Sequence, residues 1–322
     1  MSEADGAGSQ DAFPAKLNLE SAIVGLSPGA RTAAAKLNLS LSLDDGMYVK
    51  GGDAHYLTCG ASALNVILAA QQLAQALTPA SILDFGAGAG RVTRWLRAAF
   101  PTAHIAACDL RPQDIQFCRD QFGAETWIAG TDIDALQALG TYDLIWVGSV
   151  LTHLSAENSA RLIDKLLNWA NPGGLIIMSI IGRVAKDRKD GSGADYIHPA
   201  GWAQITQQYA ERGFGYADYE GAAGYGLSLT KLSWAGGLVE RLPGTRLVAL
   251  SEAVWDDLHD IIAIQKIETG AGCGNPSNAN AATAANELAN RAEALTRGAA
   301  IEASTLWRTT KPLRSLARLF GR

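Results

Sequence analysis

The chain has 322 residues, of which 48% are hydrophobic and 18% are charged, enough for one large or two modest globular domains. With 27 Lys and Arg against 32 Asp and Glu, the net charge is −5, which disfavours a protein that binds nucleic acid through a basic surface. The acidic first residues lack the basic and apolar stretches of a secretory signal, and the four cysteines form no CxxC pair. We therefore expect reduced thiols in a cytoplasmic protein.

The predicted elements follow a start rich in Ala, Gly, Ser and Asn, residues 1–45, which we expect to be flexible. Apolar residues at helical spacing predict a helix over 56–77, which Pro79 ends. Short apolar strands then alternate with helices, a pattern that predicts a parallel sheet covered by helices on both faces. The predicted strands are 81–85, 104–110, 126–129, 143–148 and 175–181.

The alternation weakens after residue 181. Residues 183–242 carry a Lys/Asp/Gly loop, Gly- and Tyr-rich stretches and helical patterns, and we interpret them as an insertion. Two further strands, 246–250 and 260–267, lie too close together for a helical crossover, so they are predicted to pair antiparallel. Residues 268–280 have the composition of a linker, and 281–322 are predicted to form an Ala-rich helix with a basic tail.

A glycine-rich turn joins the first strand to the next helix, and it contains Gly86, Gly88 and Gly90 directly after Asp84. The second strand ends at Asp109, where an acidic side chain can accept hydrogen bonds from two ribose hydroxyls. Both features lie at the carboxyl edge of the sheet, where open α/β sheets bind ligands. The spacing is GxGxG rather than the GxGxxG of dinucleotide sites, and the Asp84 carboxylate would repel a diphosphate. The loop therefore favours an adenosyl sulfonium ligand over NAD.

The segments LDFGAGAG, YDLIWVGSVLTHL and NPGGLIIMS, together with Asp109, resemble the ordered motifs of class I S-adenosylmethionine-dependent methyltransferases over residues 50–267. The resemblance implies a Rossmann-like α/β fold, with a seven-stranded, mostly parallel sheet, an antiparallel last strand and here a C-terminal helical extension. It makes residues 46–267 the methyltransferase domain and residues 183–242 a substrate-side insertion. It also implies S-adenosylmethionine as the cofactor.

The resemblance further implies which residues hold that cofactor. The turn residues Asp84, Gly86, Gly88 and Gly90 would hold its methionine end, and Asp109 its ribose. The other implied contacts are Leu110 on the adenine, Thr131, Asp132 and Ile133 near the adenine and its amino group, Tyr56 and Gly60 closing over the cofactor, and Gly148 at the end of the fourth strand. For Asp132 the alternative is an acid that merely starts a loop or helix.

Methyl transfer to oxygen needs a base that takes the proton of the acceptor. His153 follows the fourth strand at the ligand edge, while His198 and Tyr225 come from the insertion, and these three are the catalytic candidates. The alternative for His153 is a capping role at the helix that starts at Ser155. The histidine and acids at 256–260 precede an edge strand in this interpretation, so we expect them to face solvent and assign no metal.

The tail supplies a second resemblance. Residues 304–314, STLWRTTKPLR, are similar to a C-terminal segment of bacterial glycosyltransferases and methyltransferases of surface-polysaccharide assembly. The basic, partly apolar tail also suits an anionic membrane surface, although partner docking or a solvated helix end explains it equally well.

The sequence as a whole leads to one function and two rivals. The favoured function is S-adenosylmethionine-dependent O-methylation of a sugar hydroxyl in bacterial polysaccharide biosynthesis. The rivals are methylation of another small molecule or of a protein amine, and a non-catalytic scaffold in a glycan-assembly complex. The expected partners are a small-molecule or glycan acceptor, without nucleic acid, and a membrane or glycosyltransferase contacted by the tail. The expected location is cytoplasmic, peripheral at the inner face of the membrane.

Overall fold

The structure, a computed structural model, describes residues 16–23, 26–192 and 197–267, all within a compact unit that ends at Thr269. The predicted linker and C-terminal tail lie outside the described residues. The strands are β1 Ser81–Phe85, β2 His104–Asp109, β3 Glu125–Ile128, β4 Tyr142–Val147, β5 Ala170–Ile180, β6 Phe214–Tyr219, β7 Ala222–Thr230, β8 Thr245–Trp255 and β9 His259–Lys266. The α-helices are α1 Glu20–Ile23, α2 Pro28–Ala34, α3 Asp53–Ala74, α4 Thr93–Ala99, α5 Pro112–Phe122, α6 Ala156–Trp169, α7 Arg183–Ser192, α8 Pro199–Arg212 and α9 Leu232–Val239.

The main sheet has seven strands in the order β3-β2-β1-β4-β5-β9-β8. Strands β1 to β5 are parallel, and β9 runs antiparallel between β5 and β8. The predicted seven-stranded, mostly parallel sheet with an antiparallel last strand is therefore confirmed. The strand order reverses between β1 and β4, so their carboxyl ends open the crevice in which such sheets bind ligands.

Helices cover both faces of this sheet, as predicted. Alternate residues of β1 enter opposite layers: Ile82 belongs to the buried cluster that includes residues of α3 and α4, whereas Leu83 belongs to the cluster that includes residues of α6 and α9. Both layers consist of buried side chains, which explains why the strands are continuously apolar instead of alternating. Among the described residues, α3 is the one helix long and apolar enough to cross a bilayer. Leu57, Leu64 and Ile67 on α3 are fully buried in the core.

The prediction of a flexible segment over 1–45 is wrong for residues 16–23 and 26–45. Apolar side chains of this segment, among them Ala30 and Leu41, belong to the buried core cluster that also contains residues of α3 and α4. Arg94 of α4 fixes the segment, because its buried guanidinium donates to the carbonyl oxygens of Asn38 at 3.1 Å and Ser40 at 3.0 Å. Composition misled the prediction, since short side chains also allow a chain to lie close against a helix.

The insertion at 183–242 is more regular than its sequence indicates. It contains α7, α8, α9 and a two-stranded sheet formed by β6 and β7. Hydrogen bonds tie this β6–β7 hairpin to the segments that follow β5 and β4. Thr230 N–H donates to the Ile181 carbonyl at 2.9 Å, and Ser228 Oγ donates to the Leu151 carbonyl at 3.0 Å. These bonds fix β7 against the segment that follows β4, at the carboxyl edge of the sheet.

Candidate functional site

The glycine turn after β1 has the backbone geometry that its sequence predicts. Gly86, Gly88 and Gly90 all have positive φ angles, of 79°, 53° and 81°, a region that disfavours residues with a Cβ. A Cβ on Gly86 would lie 2.5 Å from Val150 Cγ2, whereas one on Gly88 would meet nothing within 4 Å. The turn is therefore anchored at its ends and open at Gly88, where a ligand can approach the backbone.

Asp109 at the end of β2 lies directly against this turn. Its Oδ2 accepts a hydrogen bond from Gly88 N–H at 2.8 Å, and its Oδ1 accepts from the N–H groups of Leu110 at 2.7 Å and Arg111 at 3.2 Å. These bonds orient a half-buried carboxylate beside the open part of the turn. The arrangement fits a ribose, since a carboxylate can receive two vicinal hydroxyls.

Two exposed apolar side chains flank Asp109. Leu110 is 46% exposed and Ile128, which pairs with Asp109 across the strands, is 57% exposed. An apolar pair beside Asp109, the predicted ribose-binding residue, suits the face of an adenine ring. The family resemblance implies an adenine contact for Leu110 but not for Ile128. The feature of the sequence that indicates Ile128 is its position at the end of β3, next to Asp109.

The residues after β3 divide between surface and core. Thr131 and Asp132 are exposed, and Asp132 Oδ1 accepts the N–H of Asp134 at 3.0 Å. Ile133 instead points into the core layer beside α6, where it is 7% exposed. The contact of Thr131 and Asp132 with the adenine stays a prediction, while core packing accounts for Ile133.

Asp84 lies beneath the turn rather than in its opening. The side chain is 1% exposed and its Oδ2 accepts a hydrogen bond from Thr93 Oγ1 at 2.6 Å. Burial raises the pKa of Asp84 to about 7. The buried side chain therefore supports the start of α4, and its contact with the methionine end of the cofactor stays a prediction.

Asp84 should make the stability of the protein depend on pH. A carboxyl group with a raised folded-state pKa stabilises the fold at low pH, and this contribution declines as pH rises from about 4 to about 7. Asp84→Asn retains an oxygen for Thr93, so the variant should gain about 2 kcal/mol of unfolding free energy relative to the parent between pH 5 and pH 8. Urea unfolding at both pH values measures this gain, and an equal difference at the two pH values would contradict it. Burial also raises the pKa values of Asp114 and Asp260 to about 6. Both groups are present in the parent and in the variant, so their effects on stability cancel in the difference between the two proteins.

His153 occupies a short 3-10 helix, Leu151–His153, directly after β4. Its Nδ1 lies 3.0 Å from the Gly226 carbonyl oxygen and 3.2 Å from Tyr219 Oη. A carbonyl oxygen only accepts, so Nδ1 carries the proton and, in the neutral ring, Nε2 keeps its lone pair. Burial lowers the pKa of His153, against the opposing effect of the Gly226 bond, so the ring is neutral near pH 7. Ser155 itself caps α6 through Asn158 N–H, so His153 is not the capping residue.

The hairpin brings two tyrosines to His153. Tyr225 stacks on the imidazole with ring centroids 5.0 Å apart, and Tyr219 lies 6.0 Å away. Burial and then the negative charge of Asp109 raise the pKa of Tyr225, so this ring is within electrostatic reach of Asp109. Tyr225 remains 43% exposed. The structure therefore brings the candidates His153 and Tyr225 together, within electrostatic reach of Asp109.

His198, the third catalytic candidate, has no hydrogen bond or ring contact with His153 among the described residues. It is exposed at the start of α8, where its Nδ1 accepts the N–H of Ala200 at 3.3 Å. This is an N-terminal capping contact, which accounts for the residue without a catalytic role.

Three residues that are predicted to contact the cofactor, Tyr56, Gly60 and Gly148, also have packing roles. Tyr56 is 1% exposed and donates from its hydroxyl to Asp45 Oδ2 at 2.5 Å. A Cβ on Gly60 would lie 2.5 Å from both the Arg91 carbonyl oxygen and the Trp95 ring. A Cβ on Gly148 would lie 2.7 Å from the indole nitrogen of Trp146. Their contact with the cofactor stays a prediction.

The close approach of α3 to Arg91 and Trp95 at Gly60 leads to a second prediction. We expect Gly60→Ala to reduce the free energy of unfolding by about 1–3 kcal/mol, because the added methyl must displace the backbone at Arg91 or the buried Trp95. Gly140→Ala is the matched control, since a Cβ there meets nothing within 4 Å. Chemical denaturation of both variants measures the difference, and equal stabilities would show that α3 and α4 can separate at no cost.

His259 is the residue that sequence reasoning missed. We expected residues 256–260 to face solvent before an edge strand, and that is wrong for His259 and Asp260 because β9 lies between β5 and β8. Asp260 is 1% exposed, and the His259 ring lies 4.5 Å from the Trp255 ring. Burial, followed by the charges of Arg91 and His153, lowers the pKa of His259 to about 4. No group of three or more potential metal ligands occurs within the described ranges.

Residues 83–176 match the family described as "Methyltransferase domain". Malonyl-[acyl-carrier protein] O-methyltransferase of Anoxybacillus flavithermus is 31% identical over 106 residues, which are 32% of this chain and 40% of that protein. Phosphoethanolamine N-methyltransferase of Plasmodium falciparum is 23% identical over 134 residues, 40% of this chain and 50% of that protein. The chain thus spans half or less of the length of these curated relatives.

Among solved structures, the plantazolicin methyltransferase BpumL in complex with SAH is 16% identical, with a TM-score of 0.46 over 66% of this chain and 85% of that one. The family match confirms a methyltransferase domain, and with it the predicted enzyme class and S-adenosylmethionine as the cofactor of the domain. The open glycine turn, Asp109 and the apolar pair fit that cofactor. The resemblance of the tail to polysaccharide-assembly enzymes stays a prediction.

Proposed function

We propose that this protein transfers a methyl group from S-adenosylmethionine to a hydroxyl oxygen, with His153 as the general base. One observation carries the proposal: His153 Nδ1 is 3.0 Å from the Gly226 carbonyl oxygen. That bond holds the proton on Nδ1 and leaves Nε2 to accept a proton from the acceptor. The lowered pKa of His153 keeps the base unprotonated at neutral pH.

In this proposal, some residues bind the cofactor and one residue, His153, accepts a proton from the acceptor. S-adenosylmethionine, when bound, supplies a methyl group that its sulfonium already activates. The Gly88 backbone and Asp109 would hold the ribose and the methionine end, and Leu110 with Ile128 would hold the adenine. His153 would take the proton of the hydroxyl as the new bond forms, while the hairpin rings exclude water. Most of the rate gain in such a reaction comes from alignment, because the methyl donor is already reactive.

A sugar hydroxyl is the acceptor that we propose, in bacterial surface-polysaccharide biosynthesis. Tyr219 and Tyr225 beside His153 support a sugar, since aromatic faces pack against the apolar faces of sugar rings. The tail sequence at 304–314 supports the pathway. We further propose that the protein is cytoplasmic and that the tail brings it to the inner face of the membrane or to a glycosyltransferase.

The names of the relatives favour a second candidate. One relative is named a malonyl-[acyl-carrier protein] O-methyltransferase and another a phosphoethanolamine N-methyltransferase. Another small molecule or an amine is therefore an alternative acceptor for the same base. A scaffold without catalysis is the third candidate. An oriented neutral histidine beside an intact cofactor turn argues against the scaffold, because neither feature is needed for docking alone.

Transfer of radiolabelled methyl from S-adenosylmethionine into a fractionated bacterial extract separates the candidates. We expect label in nucleotide sugars or lipid-linked glycan with the parent protein and none with His153→Phe. Label confined to protein or to small metabolites would replace the sugar with the second candidate. Binding of S-adenosylhomocysteine without transfer into any fraction would favour the scaffold.

A further inference from the structure

Two oxygen atoms of the β6–β7 hairpin converge on one nitrogen of His153. Its Nδ1 lies 3.0 Å from the Gly226 carbonyl oxygen and 3.2 Å from the hydroxyl oxygen of Tyr219. An imidazole nitrogen carries at most one proton, and a carbonyl oxygen only accepts. The Nδ1 proton is therefore donated towards Gly226, and the Tyr219 oxygen can share it only as a second acceptor, in a bifurcated hydrogen bond.

The hairpin fixes both oxygens relative to the imidazole ring. Gly226 pairs with Asp218 across the strands, and a Cβ on Gly226 would clash with the carbonyl oxygen of Ala217. The two strands therefore approach closely at the residue whose carbonyl His153 contacts. The strand register shifts between Asp218 and Tyr219, and irregularities of this kind often redirect a side chain. The Tyr219 ring lies 6.0 Å from the imidazole.

The titratable groups around His153 are neutral near pH 7. Burial, followed by the charge of Tyr225, raises the pKa of Tyr219 to about 12, and burial also raises the pKa of Tyr225, so both hydroxyls keep their protons. At the start of β9, burial lowers the pKa of His259 to about 4. Within the described ranges, no carboxylate is hydrogen-bonded to the imidazole. A positive charge on the ring is therefore stabilised by the dipoles of the Gly226 carbonyl and the Tyr219 hydroxyl.

We propose that Tyr219 is a positioning residue for His153: its oxygen shares the Nδ1 proton with Gly226 and stabilises the imidazolium that forms during catalysis. In that step Nε2 takes the hydroxyl proton while the acceptor oxygen bonds to the methyl carbon and the methyl–sulfur bond breaks. The imidazolium then releases the proton to solvent. Hydrogen bonds to a charged group are stronger than those between neutral groups, so Tyr219 favours the protonated ring. The inference rests on the proposed function, because the reaction forms an imidazolium only if His153 is the base.

Tyr219→Phe tests the proposal, because it removes the hydroxyl and keeps the aromatic ring beside the imidazole. Tyr216→Phe is the matched control on the same strand, since it removes a hydroxyl that donates to Asp218 Oδ1 at 2.6 Å. Nitrogen NMR of protein with isotope-labelled histidine gives the tautomer and the pKa of His153 over pH 4–8, without cofactor or acceptor. His153→Gln identifies the signal. Rates over the same pH range, on the acceptor found by methyl labelling, give kcat and KM.

We expect the neutral ring to carry its proton on Nδ1 in the parent and in both tyrosine variants. The pKa of His153 should be lower in Tyr219→Phe than in the parent by about half a unit or more, and unchanged in Tyr216→Phe. The kcat of Tyr219→Phe should fall about threefold or more at constant KM, and its acid limb should move to lower pH.

The outcomes separate this inference from the proposed function. An unchanged pKa of His153 in Tyr219→Phe, or an equal shift in the control, would overturn the role of Tyr219 and leave His153 as the base. A higher pKa in Tyr219→Phe would show that the hydroxyl donates to Nδ1, which also overturns it. A parent ring with its proton on Nε2, or full activity of His153→Gln, would refute the proposed base and with it the catalytic role of Tyr219.

Discussion

Asp109→Ala is expected to weaken the binding of S-adenosylhomocysteine about a hundredfold. The change removes an acceptor for two ribose hydroxyls, and bonds to a charged group each contribute about 1.5–3 kcal/mol. It also removes the 2.8 Å bond that Asp109 accepts from Gly88 N–H, so the turn loses a restraint. Isothermal titration of the ligand into both proteins gives the ratio of affinities.

The control for this change is Asp120→Ala on α5, because that acid bonds only to Gln116 among the described residues. We expect the control to bind like the parent. Equal affinities of the parent and Asp109→Ala would remove Asp109 from the cofactor site and with it the assignment of the carboxyl edge. Matching unfolding midpoints for the two variants exclude a general loss of structure.

His153→Gln should reduce kcat about 10²- to 10⁴-fold, the range that general-base catalysis contributes. In the parent, kcat should fall as pH drops below the lowered pKa of His153, because protonation fills the Nε2 lone pair. Above that pKa the base is free, so activity should be level through pH 7. The variant should lose this pH dependence, because no imidazole is left to titrate.

The control here is His104→Ala, which changes an exposed histidine at the amino-terminal end of β2. Rates over pH 5–8 on the acceptor found by methyl labelling supply both profiles. A variant that keeps the parental rate and its acid limb would assign the base to another group. A variant with raised KM and unchanged kcat would make His153 a residue that only binds the acceptor.

Local sequence predicted the parts of the site that lie within one βαβ unit. The glycine turn, Asp109 and the strand that carries His153 are specified by residues close together in the chain, so periodicity and spacing suffice to place them. His153 itself could be selected, but its tautomer could not. That depends on Gly226, 73 residues later, in a hairpin whose register no local pattern specifies.

Burial that depends on strand order was also beyond prediction. His259 would face solvent on an edge strand, yet it is half-buried because β9 is inserted between β5 and β8. Likewise, the segment before α3 has the composition of a flexible chain, and its order comes from the buried Arg94, which lies more than fifty residues later. In both cases the deciding contact is made by a residue far away in sequence.

The buried Arg94 limits how this domain can be excised or recombined. A fragment cut to residues 83–176 would keep the guanidinium but lose the Asn38 and Ser40 carbonyls that receive it. Removing one side of a buried charged contact typically costs about 3–5 kcal/mol, a large fraction of the stability of a domain. The segment before α3 is therefore an integral part of the catalytic module, and a chimera that exchanges methyltransferase cores must transfer the two together.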